Sequence, residues 1–290
     1  MKSALKWLLP VLILAEVALV WSGLLDVGDA VFVLAGIEIL IVLTGIGGII
    51  LFARRYRRGR SAGLDLWAAL EEGLAVLLPR RVTRFVLHEP RLLAALLRWT
   101  FLRVTPADNE FGYHKRSILR AILPLVIVTS PVELLVVHLL ASAFSPWGWV
   151  KWTLLALGLY AILWLLGFYA SLVTLPHSLQ EGGIQLRYGA FADGFIPYRK
   201  IASVERASRR APRSGDGLQT SPQGDEISIS ISGKTDLTLL LHTPQTVEGL
   251  FKTAGPAATI HLAADEPKRL ATELRGRVDE RTSPRPPALA

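Results

Sequence analysis

The sequence predicts a helical membrane bundle followed by a small, mainly antiparallel β domain that ends in one helix. Three observations carry that reading. The chain of 290 residues is 51% hydrophobic, with a mean hydropathy of +0.39, well above an ordinary soluble domain. Its apolar residues before Pro176 fall in long runs, and after Pro176 they alternate with polar ones. Between the runs lies a strongly basic stretch.

The first run, residues 7–25, follows Lys2 and Lys6 and includes Pro10 and Glu16. At about 20 residues it is long enough to cross a bilayer and longer than a signal-peptide core, so it is expected to be a retained span. The turn Asp26 to Asp29 carries no Lys or Arg, as suits an outside loop, and residues 31–52 form the second expected span. It ends in the run ARRYRRGR at Ala53 to Arg60, where positive charge beside a span holds that end in the cytoplasm. Residues 121–144, with a kink expected at Pro131, and residues 149–175 make the third and fourth spans, joined by an outside turn rich in Trp. Both termini are therefore expected in the cytoplasm.

The net charge of +8 sits in the loop before the third span: residues 54–120 hold 14 Lys and Arg against 6 Asp and Glu. From Pro176 onward the balance is 15 against 13. Such a loop sets topology and attracts anionic headgroups, so no nucleic-acid partner is invoked. Within the loop, Asp65, Glu71 and Glu72 prevent a further crossing, but apolar residues recur at helical spacing in Leu64, Trp67, Leu70, Leu74 and Leu77, and again from Leu92 to Trp99. Amphipathic helices in the cytoplasmic headgroup layer are expected, or helices packed on each other or on a partner subunit. Pro90 is expected to divide the helices carrying Arg84, Arg91 and Arg98. Those three, with Arg54, Arg55, Arg57, Arg58 and Arg60, are candidate lipid-facing cations.

The domain after Pro176 is read from period two. Ile184, Leu186 and Tyr188 form one alternating run; Ile227, Ile229 and Ile231 form a second; Leu237, Leu239 and Leu241 form a third. Pro267 then opens an amphipathic helix with Leu270, Leu274 and Val278 on one side. Strands and one helix in about 100 residues suggest a small barrel or sandwich plugged by the helix. Residues 206–224 (RASRRAPRSGDGLQTSPQG) are too polar to pack and read as a mobile loop, with Arg206, Arg209, Arg210 and Arg213 as candidate contacts for anionic lipid or an acidic partner. The tail, residues 281–290, is expected to be disordered.

The segment GIQLRYG at Gly183 to Gly189, then Ile196, Pro197 and Tyr198, then Ile201 and Val204, and finally Asp265, Glu266 and Pro267, resembles the bacterial PH-like domains of membrane-anchored proteins. The resemblance covers residues 176–280. It implies a bent antiparallel barrel capped by a C-terminal helix and a bacterial plasma-membrane location; it supplies no reaction and no headgroup-binding residue. The insertion at 206–224 departs from the compact pattern.

Ionisable groups inside spans are expensive, and four are present: Glu16, Glu38, Glu133 and His138. At about 1.5 Å per residue they lie roughly 13, 10, 16 and 9 Å from the outer ends of their spans, all in the outer half of the bilayer. Converged, they would suit a proton relay or a divalent metal. Separately, each would be satisfied by a hydrogen bond within the bundle. Gly45 to Gly48 has no following Lys and serves helix packing, no nucleophile elbow is present, and the absence of Cys excludes disulfides and thiolate chemistry. His177 reads as a hydrogen-bonding residue at a domain junction rather than a reactive one. No cofactor is implied. The leading expectation is a non-enzymatic membrane protein presenting its C-terminal domain to protein, lipid or its own copies. The alternatives are an ion-coupled transporter or channel using the four ionisable groups and, with least support, a membrane metallohydrolase using Glu133 and His138.

Overall fold

The computed structural model describes residues 27–61, 66–102, 107–213 and 215–282, with side chains from residue 43 to residue 280 of that set. The chain divides into two compact units, residues 1–83 and 84–290.

In the first unit, helix α1 (Val27–Ser61) and helix α2 (Leu66–Leu74) pack together. Small residues allow the approach: a Cβ on Gly73 would stand 2.8 Å from the Phe52 ring, and one on Gly48 would meet Leu77 at the same distance. The basic run continues α1 as helix, and Arg54, Arg55, Arg57, Arg58 and Arg60 are all exposed. Residues 31–52 lie within α1; residues 7–25, Glu16 and the tail after Thr282 fall outside the described residues, as does the side chain of Glu38.

Helix α3 (Arg80–Phe101) runs through Pro90 without a break. The expected division there is not found. Pro removes one backbone donor and crowds the preceding turn, a cost that flanking turns and tertiary contacts on both sides of it offset. Arg84, Arg91 and Arg98 therefore ride on one helix.

Helices α4 (Leu119–Phe144) and α5 (Gly148–Thr174) form an antiparallel hairpin. Among the described residues these two are long and apolar enough to cross a membrane. Only 11% and 28% of their most apolar windows are buried, unlike the core helix of a soluble protein. Pro124 and Pro131 lie inside α4, which continues through both. Gly158 admits Leu134 into the hairpin seam.

The second unit also holds one sheet of nine strands: β1 (Glu110–Phe111), β2 (His177–Leu179), β3 (Gly183–Tyr188), β4 (Ala192–Pro197), β5 (Ile201–Arg210), β6 (Gly217–Thr220), β7 (Glu226–Ser230), β8 (Lys234–Gly249) and β9 (Thr253–Leu262). The order is β1-β2-β3-β4-β8-β9-β7-β6, with β5 also on β8, and every pairing is antiparallel except β7 with β9. β8 organises it. Along one side it pairs with β9; on the other, Lys234 to Leu241 pairs with β5, and Glu248 and Gly249 pair with β4. Register shifts after Leu240 bend the strand between those two partners. The sheet stays open, ending at β1 and β6, where a barrel was expected.

The expected apolar faces are the core. Ile184, Leu186, Ile227, Ile229, Leu237 and Leu239 are fully buried, and helix α6 (Pro267–Thr282) covers them with Leu270, Ala271, Leu274 and Val278. Each such side chain contributes about 1.5–3 kcal/mol on burial. Residues 206–224, expected as a mobile loop, instead carry the end of β5 and all of β6. Pairing supplies what packing does not: Arg209 and Arg210 lie opposite Thr235 and Lys234, and β6 lies on β7.

Candidate functional site

The most built-up polar region lies where α4 and α5 meet the sheet. Pro176 alone separates the C-cap residue of α5, Leu175, from β2. The second connection comes from the loop before α4, where sequence reading expected amphipathic helices in the headgroup layer, or packed on each other or on a partner subunit. Its residues Glu110 and Phe111 add β1 to β2, opposite Ser178 and His177. Asn109 ties the same edge, accepting from the Leu179 amide at 2.8 Å and donating to the Leu179 carbonyl at 3.0 Å.

Tyr113 is buried between the connections. Its hydroxyl donates to Leu175 O (2.9 Å) and accepts from Gly189 N (2.7 Å), and burial pushes its pKa up. His177 lies against it, ring centroids 4.6 Å apart. The Arg187 amide donates to His177 Nδ1 (3.0 Å), which leaves Nε2 to donate to Ala263 O (3.2 Å). Burial pushes the imidazole pKa down to about 4. The neutral ring is fully satisfied and closed to solvent, which is the structural role expected of it.

The chain then turns into α4 through residues held by two acidic side chains, Asp236 of β8 and Asp265, which lies between β9 and α6. Asp265 accepts from the Lys115 amide at 3.1 Å and sits 3.9 Å from His114 Nδ1. Burial outweighs that carboxylate and lowers the His114 pKa. Arg116 clasps Asp236 through both guanidinium nitrogens, at 3.1 and 2.7 Å, and donates to Ala264 O. Asp236 in turn accepts from the Ala264 amide at 3.1 Å.

Helix α3 braces the same junction. Leu92 packs its backbone on Gly167 of α5, where a Cβ would stand 3.2 Å from the Leu92 oxygen, and Trp99 meets Tyr169 edge to face. His88 lies 4.5 Å from the Phe191 ring, and burial lowers its pKa. Arg91 reaches Asp193 at 3.5 Å and Arg84 pairs with Glu248. These two arginines, expected to face lipid, bind the sheet instead; the Arg91 side chain is only 13% exposed. Arg98 is exposed. On the opposite side of α3, Phe85, Val86, Leu93, Leu97 and Phe101 form an exposed apolar stripe.

A basic edge lies on the sheet. Arg206, Arg209 and Arg210 of β5 are exposed, as are Arg213 and Lys234, and Arg210 stands opposite Lys234 in the ladder.

The intraspan groups are less organised. Glu133 is exposed on α4. His138 packs on Trp152 at 5.3 Å, in an open groove of about 360 Å³ lined by Pro131, Leu134, Leu135 and Leu155, and its Nδ1 is enclosed without a hydrogen-bond partner. No cluster of three or more His, Asp or Glu able to hold a metal occurs among the described residues.

Sequence reading missed a polar seam in the sheet, where His261 Nδ1 lies 2.9 Å from Thr238 Oγ1 and Nε2 lies 3.3 Å from Glu226. Burial lowers the His261 pKa. Thr238 and His261 are both buried, and only Glu226 at the end of this chain of contacts is partly exposed. Its signal in the sequence was faint, since the three residues come from three strands.

No family model, curated protein or solved structure matches the chain.

Proposed function

We propose that this chain is a non-enzymatic, four-span protein of a bacterial plasma membrane, with both termini in the cytoplasm, that holds a PH-like module against the membrane for binding to protein, lipid or its own copies. The observation that supports this best is the double junction: the sheet takes its edge strand from the loop before α4 and continues directly from α5. A sheet joined in this way to two apolar helices is kept beside the bilayer. The stripe Phe85, Leu93 and Leu97 on α3 then rests in the headgroup layer while Arg84 and Arg91 face the sheet.

Topology is the test. The chain has no Cys, so single cysteines report cleanly. Ser145→Cys, in the turn between α4 and α5, is expected to react with an impermeant thiol reagent in intact cells, and Ser208→Cys only after permeabilisation. The reverse pattern refutes the cytoplasmic module.

A second reading, ion-coupled transport through Glu16, Glu38, Glu133 and His138, draws on the enclosed and unpartnered His138 Nδ1. It requires that Glu133→Gln or His138→Gln abolish ion flux in reconstituted vesicles. Wild-type vesicles without flux refute it.

A further inference from the structure

The start of α4 carries a cluster of cations drawn from three distant parts of the sequence. Ser232 and Gly233, with φ of 51° and 65°, form the two-residue turn of a tight hairpin closed by mutual hydrogen bonds of 3.1 Å between Ile231 and Lys234. Ser232 Oγ donates to Arg116 O at 2.6 Å, which brings this turn against the approach to α4. The Ala211 amide donates to Gly233 O at 3.0 Å, which brings the end of β5 to the same place. The segments carrying Lys115, Arg210 and Lys234 are thereby brought together, with all three side chains exposed.

Their charge is not internally balanced. Arg210 and Lys234 face each other directly in the ladder, an arrangement that repels. Among the described residues no carboxylate forms an ion pair with any of these three cations. The nearby acids are engaged: Asp236 by Arg116 and the Ala264 amide, Asp265 by the Lys115 amide, and Asp216 by the Gly233 amide.

The surface changes character abruptly along α4. Ile118, Ile122 and Leu125 follow one another at helical spacing and are exposed, Ile118 at 60%. A free phosphate or a nucleic acid would use the cations and leave that stripe bare. A ligand with an anionic head and hydrocarbon chains matches both.

We propose that the base of α4 binds the phosphate of an anionic phospholipid from the cytoplasmic leaflet, held by Lys115, Arg210 and Lys234 with its chains along Ile118, Ile122 and Leu125. The site rests on the membrane reading above and gives it a lipid class. Of the arginines in the 206–213 segment, Arg210 acts here, together with Lys115 from the α4 approach.

The test uses the full chain in nanodiscs of phosphatidylcholine with a minority of phosphatidylglycerol, with retained lipids counted by native mass spectrometry. The wild type is expected to retain phosphatidylglycerol selectively, and Lys115→Gln/Arg210→Gln/Lys234→Gln to lose roughly tenfold of that selectivity. The charge-matched control Arg199→Gln/Lys252→Gln/Lys268→Gln is expected to keep it. Arg210→Lys, which retains the charge, also keeps it, and single Lys115→Gln and Lys234→Gln changes lower it if the triple variant does not fold. Equal retention by both triples overturns the site, as does displacement of the lipid by inorganic phosphate at matched ionic strength. The leaflet is read separately. Ser208→Cys labelled in intact cells would refute the cytoplasmic reading, whereas lost selectivity in neither triple with Ser208 inside refutes the lipid site alone.

Discussion

At the scale of single residues, the junction is a set of buried polar groups whose partners are all supplied. His177 shows what this implies. Its pKa in the folded chain is lowered to about 4, against an ordinary 6.5, because burial penalises the imidazolium. Between those values the unfolded chain binds a proton that the fold excludes. The His177 contribution is therefore full above about pH 6.5, falls as pH drops, and is lost near pH 4; from pH 7 to pH 5 the loss is about 2 kcal/mol. His88, His114 and His261 are also lowered by burial and act in the same direction. The protection of the Arg187 amide against hydrogen exchange, taken relative to the intrinsic exchange rate at each pH and measured in detergent at pH 7 and pH 5, is expected to fall at the lower pH. His177→Gln should flatten part of that dependence, and an unchanged profile would show that the ring is not closed off. Tyr113→Phe tests the neighbouring group. It strands the Gly189 amide and the Leu175 carbonyl and should cost about 2 kcal/mol in denaturant unfolding.

At the scale of elements, what the sequence made legible was periodicity. The runs beginning at Ile184, Ile227 and Leu237 are strands with those residues buried, and Pro267 begins the last helix. The apolar runs of residues 121–144 and 149–175 are helices. β1 was illegible because two residues carry no period; what holds the approach in place is tertiary, the burial of Phe111 and Tyr113 and the contacts of Asp236 and Asp265. The continuity of α3 was illegible for a related reason. Pro90 argues locally for a break, whereas Leu92 on Gly167 and Arg91 on Asp193 are contacts that no window of sequence contains. The arginines at spacing seven were visible, but their acidic partners were not. Because Arg91 is mostly covered, Arg91→Ala should cost more than an exposed pair does, about 1–3 kcal/mol, and Asp193→Asn should remove much of that difference in a double-mutant cycle. Arg55→Ala, whose partner Glu72 stands 4.0 Å away with both side chains well exposed, should cost under about 1 kcal/mol. Similar costs for the two would mean that Arg91 is solvated.

At the scale of the whole molecule, the question is whether the sheet moves as a tethered body or as an extension of the helix pair. A single connection at Pro176 would allow rotation about one segment. The second connection, through β1, closes a loop containing both apolar helices, so the sheet reorients only if β1 peels from β2. Two residues of pairing alone would not hold it. Tyr113, Arg116 and the Lys115 amide extend the attachment along the approach to α4. Glu110 and Ser178 are Cα partners across this ladder, close enough for a disulfide, and the chain offers no competing thiol. Glu110→Cys with Ser178→Cys, oxidised in native membranes, should therefore cross-link in high yield. With a protease site inserted at Ser145 to Trp147, the cut halves should migrate as one species until reduced. Efficient cross-linking would mean that displacements of α4 and α5 reach the sheet directly, so that whatever binds one can be felt by the other. Halves that separate without reductant would mean that β1 is detached for much of the time, leaving the module on a single hinge.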